Sequence, residues 1–216
     1  MPAMNKIPVP TLERLAIYLT VLTELKAREV ETISSLDIEE RTGINAAQFR
    51  KDLSYFGEFG KPGIGYRVID LHARVAQILN LEKRQKVLLV GVGNLGSALL
   101  GYPALRAENF EIVAAFDANP AKVGRRLGDI TIKDISKMTQ ENEILGAKLG
   151  IIAVPASAAQ EVANKLIEAN VKNILNFAPV SLRLPDNVKM RNVDFVQELA
   201  VLSFHVGVAE AGEEKS

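Results

Sequence analysis

A short apolar run, Lys86-Val87-Leu88-Leu89-Val90, is followed at once by Gly91-Val92-Gly93-Asn94-Leu95-Gly96 and then by Ser97-Ala98-Leu99-Leu100. A strand, three glycines at these offsets and a helix together suit a pyrophosphate. The first glycine makes a tight turn, the second lets the backbone approach the phosphates, and the third permits close packing of helix on strand. The start of the helix then presents N–H groups to the anion. A second apolar run, Glu111-Ile112-Val113-Ala114-Ala115-Phe116, ends in Asp117, about twenty residues beyond Gly96, near the spacing at which an acid meets the adenosine ribose hydroxyls. A carboxylate there repels a 2′-phosphate and favours NAD over NADP, with Lys122, Arg125 and Arg126 close by in sequence as the argument for the phosphorylated alternative.

Two more runs extend the alternation. Leu149-Gly150-Ile151-Ile152-Ala153-Val154 ends in Pro155, Ala158 to Ala169 is helical, and Asn173-Ile174-Leu175 ends in Asn176-Phe177-Ala178-Pro179. Ligands of such sheets lie at the carboxyl ends of the strands. Val154, Pro155, Asn176 and Phe177 are therefore candidates to border the nicotinamide or its ribose, while Val154 and Phe177 fit a core equally well.

The first part of the chain carries different chemistry. Leu12, Leu15, Leu19, Leu22 and Leu25 recur near helical spacing behind Thr11, a candidate cap. Ser34 with Asp37 reads as a capping box opening a short helix that ends at Gly43. Asn45, with Gln48 as its box partner, starts the next helix. Two helices joined by a short turn form a helix-turn-helix. In the second helix Ala46 and Ala47 are small enough to enter a groove. Gln48, Arg50, Lys51 and Ser54 offer donors to base edges and phosphates, and Phe49 and Leu53 form the face that stays in the core. Four glycines then fall between Gly57 and Gly65, with Lys61, Tyr66 and Arg67 around them, as expected of a wing loop near the DNA backbone. A capped helical bundle with an inert loop fits the same pattern.

Both sites need elements to position them. The chain has 216 residues, 48% of them apolar and 24% charged, with 26 basic and 26 acidic side chains and no cysteine. That suits a globular chain of one or two domains. Without cysteine there is no disulfide, thiolate metal site or thiol switch, and neutrality removes any argument for DNA from net charge alone. Met1 to Pro10 is neither basic nor a hydrophobic run, and no stretch is apolar enough to span a membrane, so a cytoplasmic location is expected. The expected fold class is α/β: an N-terminal winged helix-turn-helix domain over residues 1–84, then a Rossmann-type doubly wound parallel sheet over 85–193. The last stretch, 194–216, contains a helix apolar on more than one face, from Asp194 to Phe204, which suits burial on two sides and hence a dimer, or else a last helix packed on its own sheet.

An oxidoreductase is the rival reading, a small NAD-dependent enzyme whose N-terminal domain only mediates oligomers. Such chemistry needs an acid/base or metal group beside the hydride acceptor. The two histidines, His72 and His205, sit in the helix after the wing and in the last apolar helix, and no metal site is expected. A module for another nucleotide, such as ATP or coenzyme A, is a third reading.

Arg50-Lys51-Asp52-Leu53-Ser54-Tyr55-Phe56-Gly57, Gly63-Ile64-Gly65-Tyr66, Gly91-Val92-Gly93-Asn94-Leu95-Gly96 and Ile174-Leu175-Asn176-Phe177 closely resemble the Rex family of redox-sensing transcriptional repressors, over roughly residues 8 to 207. The resemblance implies a homodimer on a palindromic double-stranded operator, with the C-terminal helix inserted between the domains of the other subunit. It implies that NADH closes the dimer and releases DNA, whereas NAD+ competes without doing so effectively. Tyr102 matches a tyrosine near the nicotinamide, and Asp194 and Phe195 match the exchanged helix. Some members pair the acid matching Asp194 with an arginine of the first helix, where this chain has Thr20, with Arg14 a turn or more away. The expected DNA-contacting set is thus Ala46, Ala47, Gln48, Phe49, Arg50, Lys51, Ser54, Tyr55, Lys61, Gly63, Gly65 and Tyr66. The expected NAD(H) set is Gly91 to Gly96 with Tyr102, Asp117, Val154, Pro155, Asn176, Phe177 and Phe195.

Overall fold

The computed structural model describes residues 7–57, 59 and 65–213. The chain divides into two compact units, Met1–Lys83 and Arg84–Ser216.

In the first unit α1 (Val9–Ala27) turns Leu15, Leu19, Leu22 and Leu25 into the core at the expected spacing. Two expectations fail at its start. The helix begins after Pro8, so Thr11 is an interior, buried residue rather than a cap, and Leu12 stays 37% exposed. After β1 (Thr32–Ile33), α2 (Ser35–Thr42) opens on the expected box: the Asp37 N–H donates to Ser34 Oγ and the Ser34 N–H to an Asp37 carboxylate oxygen. Gly43 ends it with φ +70°, a conformation that disfavours any side chain. In α3 (Ala46–Ser54) Asn45 accepts from the Ala47 N–H as expected. Gln48 does not close the box, its amide donating to Asp52 at 2.9 Å; separately, Glu39 of α2 accepts the Ala46 N–H at 2.9 Å. β2 (Tyr66–Arg67) pairs antiparallel with β1, and α4 (Val68–Ile78) buries Val68, Leu71 and Val75. Gly65, at the mouth of this ladder, has φ +84°, and a Cβ there would meet the Ile33 carbonyl oxygen at 2.8 Å. Lys61 and Gly63 of the expected wing lie outside the described residues.

The second unit is built on β3 (Gln85–Val90), β4 (Phe110–Asp117), β5 (Arg126–Leu127), β6 (Ile130–Asp134), β7 (Leu149–Ile152), β8 (Asn173–Asn176) and β9 (Lys189–Asn192). The order across the sheet is β5-β6-β4-β3-β7-β8-β9, all pairs parallel except β5 with β6. The six parallel strands thus run third, second, first, fourth, fifth, sixth in chain order, and the order reverses between β3 and β7, where doubly wound sheets open a ligand crevice. β3 is buried on both faces. Leu88 and Val90 pack with Phe116 and Ile152, and Val87 and Leu89 with Ala115 and Ile151, which is why the strand reads as a continuous apolar run. Between the strands lie α5 (Asn94–Leu100), α6 (Pro103–Ala107), α7 (Met138–Leu145) and α8 (Ala156–Glu168), and α9 (Phe195–Glu213) ends the chain. No helix among the described residues is long and apolar enough to cross a membrane.

Candidate functional site

The three glycines between β3 and α5 occupy three different environments. Gly91 has φ +95°, and a Cβ on it would lie 2.4 Å from the Ala153 carbonyl oxygen and 2.6 Å from a Val154 methyl, just past the end of the neighbouring strand β7. Gly96 packs so closely that a Cβ would stand 2.0 Å from the Gly91 carbonyl oxygen. Gly93 is the opposite case, since a Cβ there would meet nothing within 4 Å. The open side of the loop is therefore at Gly93, where exposed Asn94 and Leu95 begin α5, and the first N–H groups of a helix have no intrahelical acceptor. Small residues at Gly91 and Gly96 shape the loop, whereas beside Gly93 the backbone borders open space.

Asp117 ends β4 beside this loop and is 8% exposed. One carboxylate oxygen accepts the Val92 N–H at 2.9 Å and the Lys122 ammonium at 3.0 Å; the other accepts the Asn119 N–H at 2.9 Å. Burial pushes this carboxyl up, but the two N–H groups and Lys122 outweigh it and hold it below the usual carboxylate range. Of about four acceptor positions on a carboxylate, three are taken and one remains on the oxygen facing Asn119. Asp117 thus retains acceptor capacity for one further donor. Lys122, read from the sequence as an argument for a 2′-phosphate, is instead the acid's ion-pair partner.

At the carboxyl ends of β7 and β8 the outcome is mixed. Val154 and Phe177 are half-buried, and Pro155 is exposed in front of α8. The Phe177 ring lies 6.3 Å from that of Phe195, which is 60% exposed. The Asn176 side chain does not fit a ligand contact. It is fully buried, donates to the carbonyls of Ala178 and Val180 and to Asn192, and accepts the Ala178 N–H. Asn176 ties the end of β8 to β9 and shapes the loop that carries Phe177. Tyr102, 56% exposed, lines a groove of about 490 Å³ with Leu99, Leu105, Arg106, Phe110 and Leu127, which includes neither the glycine loop nor Asp117. Asp194 accepts the Val196 and Gln197 N–H groups and caps α9, whose Val196, Leu199, Val201, Leu202, Phe204 and Val206 are all exposed. Thr20 donates to the Ala16 carbonyl.

In the first unit α3 sorts its residues cleanly. Ala47, Arg50, Lys51 and Ser54 form one exposed stripe, at the i, i+3, i+4, i+7 spacing of a single helix face. Ala46 and Phe49 face the other way. Ala46 is 5% exposed, and the Phe49 ring meets Tyr18 and Tyr66 edge-on at 4.8 and 5.4 Å. Neither side chain is available to DNA, because both belong to the face that holds α3 down. Tyr55 and Tyr66 are half-buried. Arg50 donates to Ser35 Oγ at 2.6 Å, so its guanidinium leans toward the start of α2.

The residue that organises this helix was not singled out by the sequence reading. Asp52 is fully buried and accepts from four side chains. Arg14 binds it through two nitrogens at 2.6 and 2.7 Å, Gln48 at 2.9 Å, Tyr18 at 3.0 Å and Thr11 at 3.1 Å. Burial acts to raise the carboxyl, and these donors, Arg14 first, hold it below the usual range. The available signal was a polar stripe, Thr11, Arg14 and Tyr18, running along a helix that is otherwise apolar on that side.

A helix-turn-helix with an exposed basic face, carried in one chain with a doubly wound, mostly parallel sheet, fits a nucleotide-responsive DNA-binding regulator as a class. Two family models match: "Putative DNA-binding protein N-terminus" over residues 6–54 and "CoA binding domain" over residues 82–180. The redox-sensing transcriptional repressor Rex of Desulfitobacterium hafniense is 45% identical over 206 residues, 95% of this chain and 98% of that protein. The crystal structure of RSP in complex with NAD+ and operator DNA is similar at a TM-score of 0.89 and 32% identity, covering 96% of each chain. The structure of RSP in complex with NADH is similar at 0.87 and 30%, covering 98% of this chain and 99% of that one. The chain belongs to the Rex family of redox-sensing transcriptional repressors.

Proposed function

We propose that this chain represses transcription by holding operator DNA through α3 and releases it when NADH occupies the crevice between β3 and β7. The observation that carries the reading is the near full-length similarity to RSP, a Rex-family repressor whose structures include one with NAD+ and operator DNA and one with NADH. In this reading residues 1–84 bind DNA, 85–193 bind NAD(H), and 194–216 join two copies into a homodimer on a palindromic site. The exposed apolar side chains of α9 support the last point. Arg50, Lys51, Ser54, Gln48 and Ala47 face the DNA. Gly93 and the start of α5 receive the pyrophosphate, and the remaining acceptor position of Asp117 takes a ribose hydroxyl.

In this reading the apolar side chains of Val154, Phe177 and Phe195 discriminate between the two redox states. The oxidised nicotinamide is a cation and the reduced ring is neutral, so Val154, Phe177 and Phe195 penalise the former through lost hydration. A ligand biases a conformational equilibrium only by its differential affinity for the two states, and turning a mostly DNA-competent population into a mostly released one takes a ratio on the order of 10⁴. No enzymatic activity belongs to this reading, and the site of action is the cytoplasm. The test is fluorescence anisotropy on an operator duplex with NADH, NAD+, ATP and coenzyme A in parallel. NADH will weaken DNA binding far more than NAD+, with ATP and coenzyme A inert. Equal effects of NADH and NAD+ overturn the sensing mechanism, and steady NADH oxidation with a carbonyl substrate favours the oxidoreductase reading instead.

A further inference from the structure

We infer that Asp52, which is fully buried and does not face the DNA, is a positioning residue for base recognition, because its carboxylate dictates which end of the Gln48 amide α3 offers outward. The inference rests on the DNA-binding reading of α3. A carboxylate held ionised only accepts hydrogen bonds, whereas a primary amide has a donating end and an accepting end. Gln48 Nε2 donates to Asp52 Oδ1 at 2.9 Å. The reversed amide would set its oxygen against that oxygen, two acceptors facing each other in a buried site, at the full cost of an unsatisfied polar contact. The amide therefore has one allowed orientation: NH2 inward, with Oε1 and the second N–H left for a partner outside. Acceptor beside donor is the pattern that complements the N6 and N7 edge of adenine in the major groove.

The anchor is itself fixed. Arg14 grips both carboxylate oxygens, and Thr11 and Tyr18 of α1 fill further acceptor positions. Gln48 is half-buried at the edge of the exposed stripe formed by Ala47, Arg50, Lys51 and Ser54. Its amide is thus referred to the core of the domain and not to solvent. An exposed glutamine would have to give up rotamer freedom on binding, and this one has already given it up in the free protein.

A duplex selected from a randomised library by the wild-type full-length chain is the probe, with each base pair then changed singly and affinities read by anisotropy. Gln48→Ala will erase about tenfold of discrimination at one base pair. Asp52→Asn will erase discrimination at that same pair, because an asparagine can pair with either end of Gln48, its oxygen accepting from the NH2 or its own NH2 donating to Oε1. The double variant will be no worse there than either single one. A loss by Asp52→Asn that is even across all positions, or unchanged discrimination at the Gln48 pair, overturns the inference. Should Asp52→Asn fail to fold, the wild-type protein supplies a second readout by NMR: a Gln48 side-chain amide proton shielded from solvent exchange, supporting the inference, or both protons exchanging as in a free amide, overturning it. Failure of the wild-type chain to select any duplex removes the DNA-binding reading and this inference with it, whereas a selected duplex with evenly spread losses removes the inference alone.

Discussion

Asp52 and Asp117 are two carboxylates taken out of water in two separate units, and each stays ionised because donors surround it. At Asp52 the donors are Arg14, Gln48, Tyr18 and Thr11; at Asp117 they are the Asn119 and Val92 N–H groups and Lys122. A carboxyl held below its unfolded value stabilises the fold at pH values above about 3.9, and that stabilisation is lost as pH falls through the folded value. Thermal unfolding of the N-terminal unit will therefore reach a plateau above that pH and fall steeply below it. Asp52→Asn will lower the plateau and flatten the acid limb, which a series of calorimetric scans between pH 2 and 7 will resolve. The two acids were not equally legible. Asp117 announces itself by position, at the end of an apolar run and about twenty residues after the last glycine. Asp52 sits inside a string of polar residues, and its ion partner is 38 positions away. Local patterns show that a helix exists, not which buried polar groups meet across two of them.

At the level of elements, the strand, glycine loop and helix carry the most information per residue, since each glycine has a different reason to be there. Gly96→Ala would drive a methyl to 2.0 Å from the Gly91 carbonyl oxygen, so the loop or the helix must move. Gly93→Ala meets nothing and keeps a permitted backbone. The expected result is a clean separation: Gly93→Ala will unfold like the wild type yet lose most NADH affinity by calorimetry, while Gly96→Ala will lose both affinity and several degrees of melting temperature. A Gly93→Ala protein with unchanged NADH affinity would remove the second glycine from the site. β3, β4 and β7 were readable because they are largely buried apolar runs, and β8 by the Ile174-Leu175 pair at its centre. β1, β2 and β5 are two residues long and β9 is Lys-Met-Arg-Asn, so nothing in their composition distinguishes them from loops. Thr11 was misread as a cap for a related reason: a threonine behind a proline resembles a helix start until a buried acceptor claims its hydroxyl.

For the whole molecule, zero net charge and zero cysteine take on specific meanings. Affinity for phosphates depends on where cations stand, and Arg50 and Lys51 share one exposed stripe of α3 although the chain as a whole is neutral. With no cysteine in the chain, a thiol switch is not the sensor. The remaining feature at this scale is α9, where exposed apolar side chains from Phe195 to Val206 cover more of the helix than a single packed stripe would need. A charge there will be tolerated by a lone chain and rejected by a dimer, so Leu199→Lys will shift the protein toward monomer in sedimentation velocity and reduce operator affinity. An unchanged sedimentation coefficient would dissociate α9 from assembly. In the dimeric reading the same helix ties folding to assembly. If its apolar surface is covered only by another copy, dilution competes with stability, and the melting temperature rises with the logarithm of protein concentration. A newly made chain is then most vulnerable while it is scarce, and its abundance in the cell sets its own lifetime.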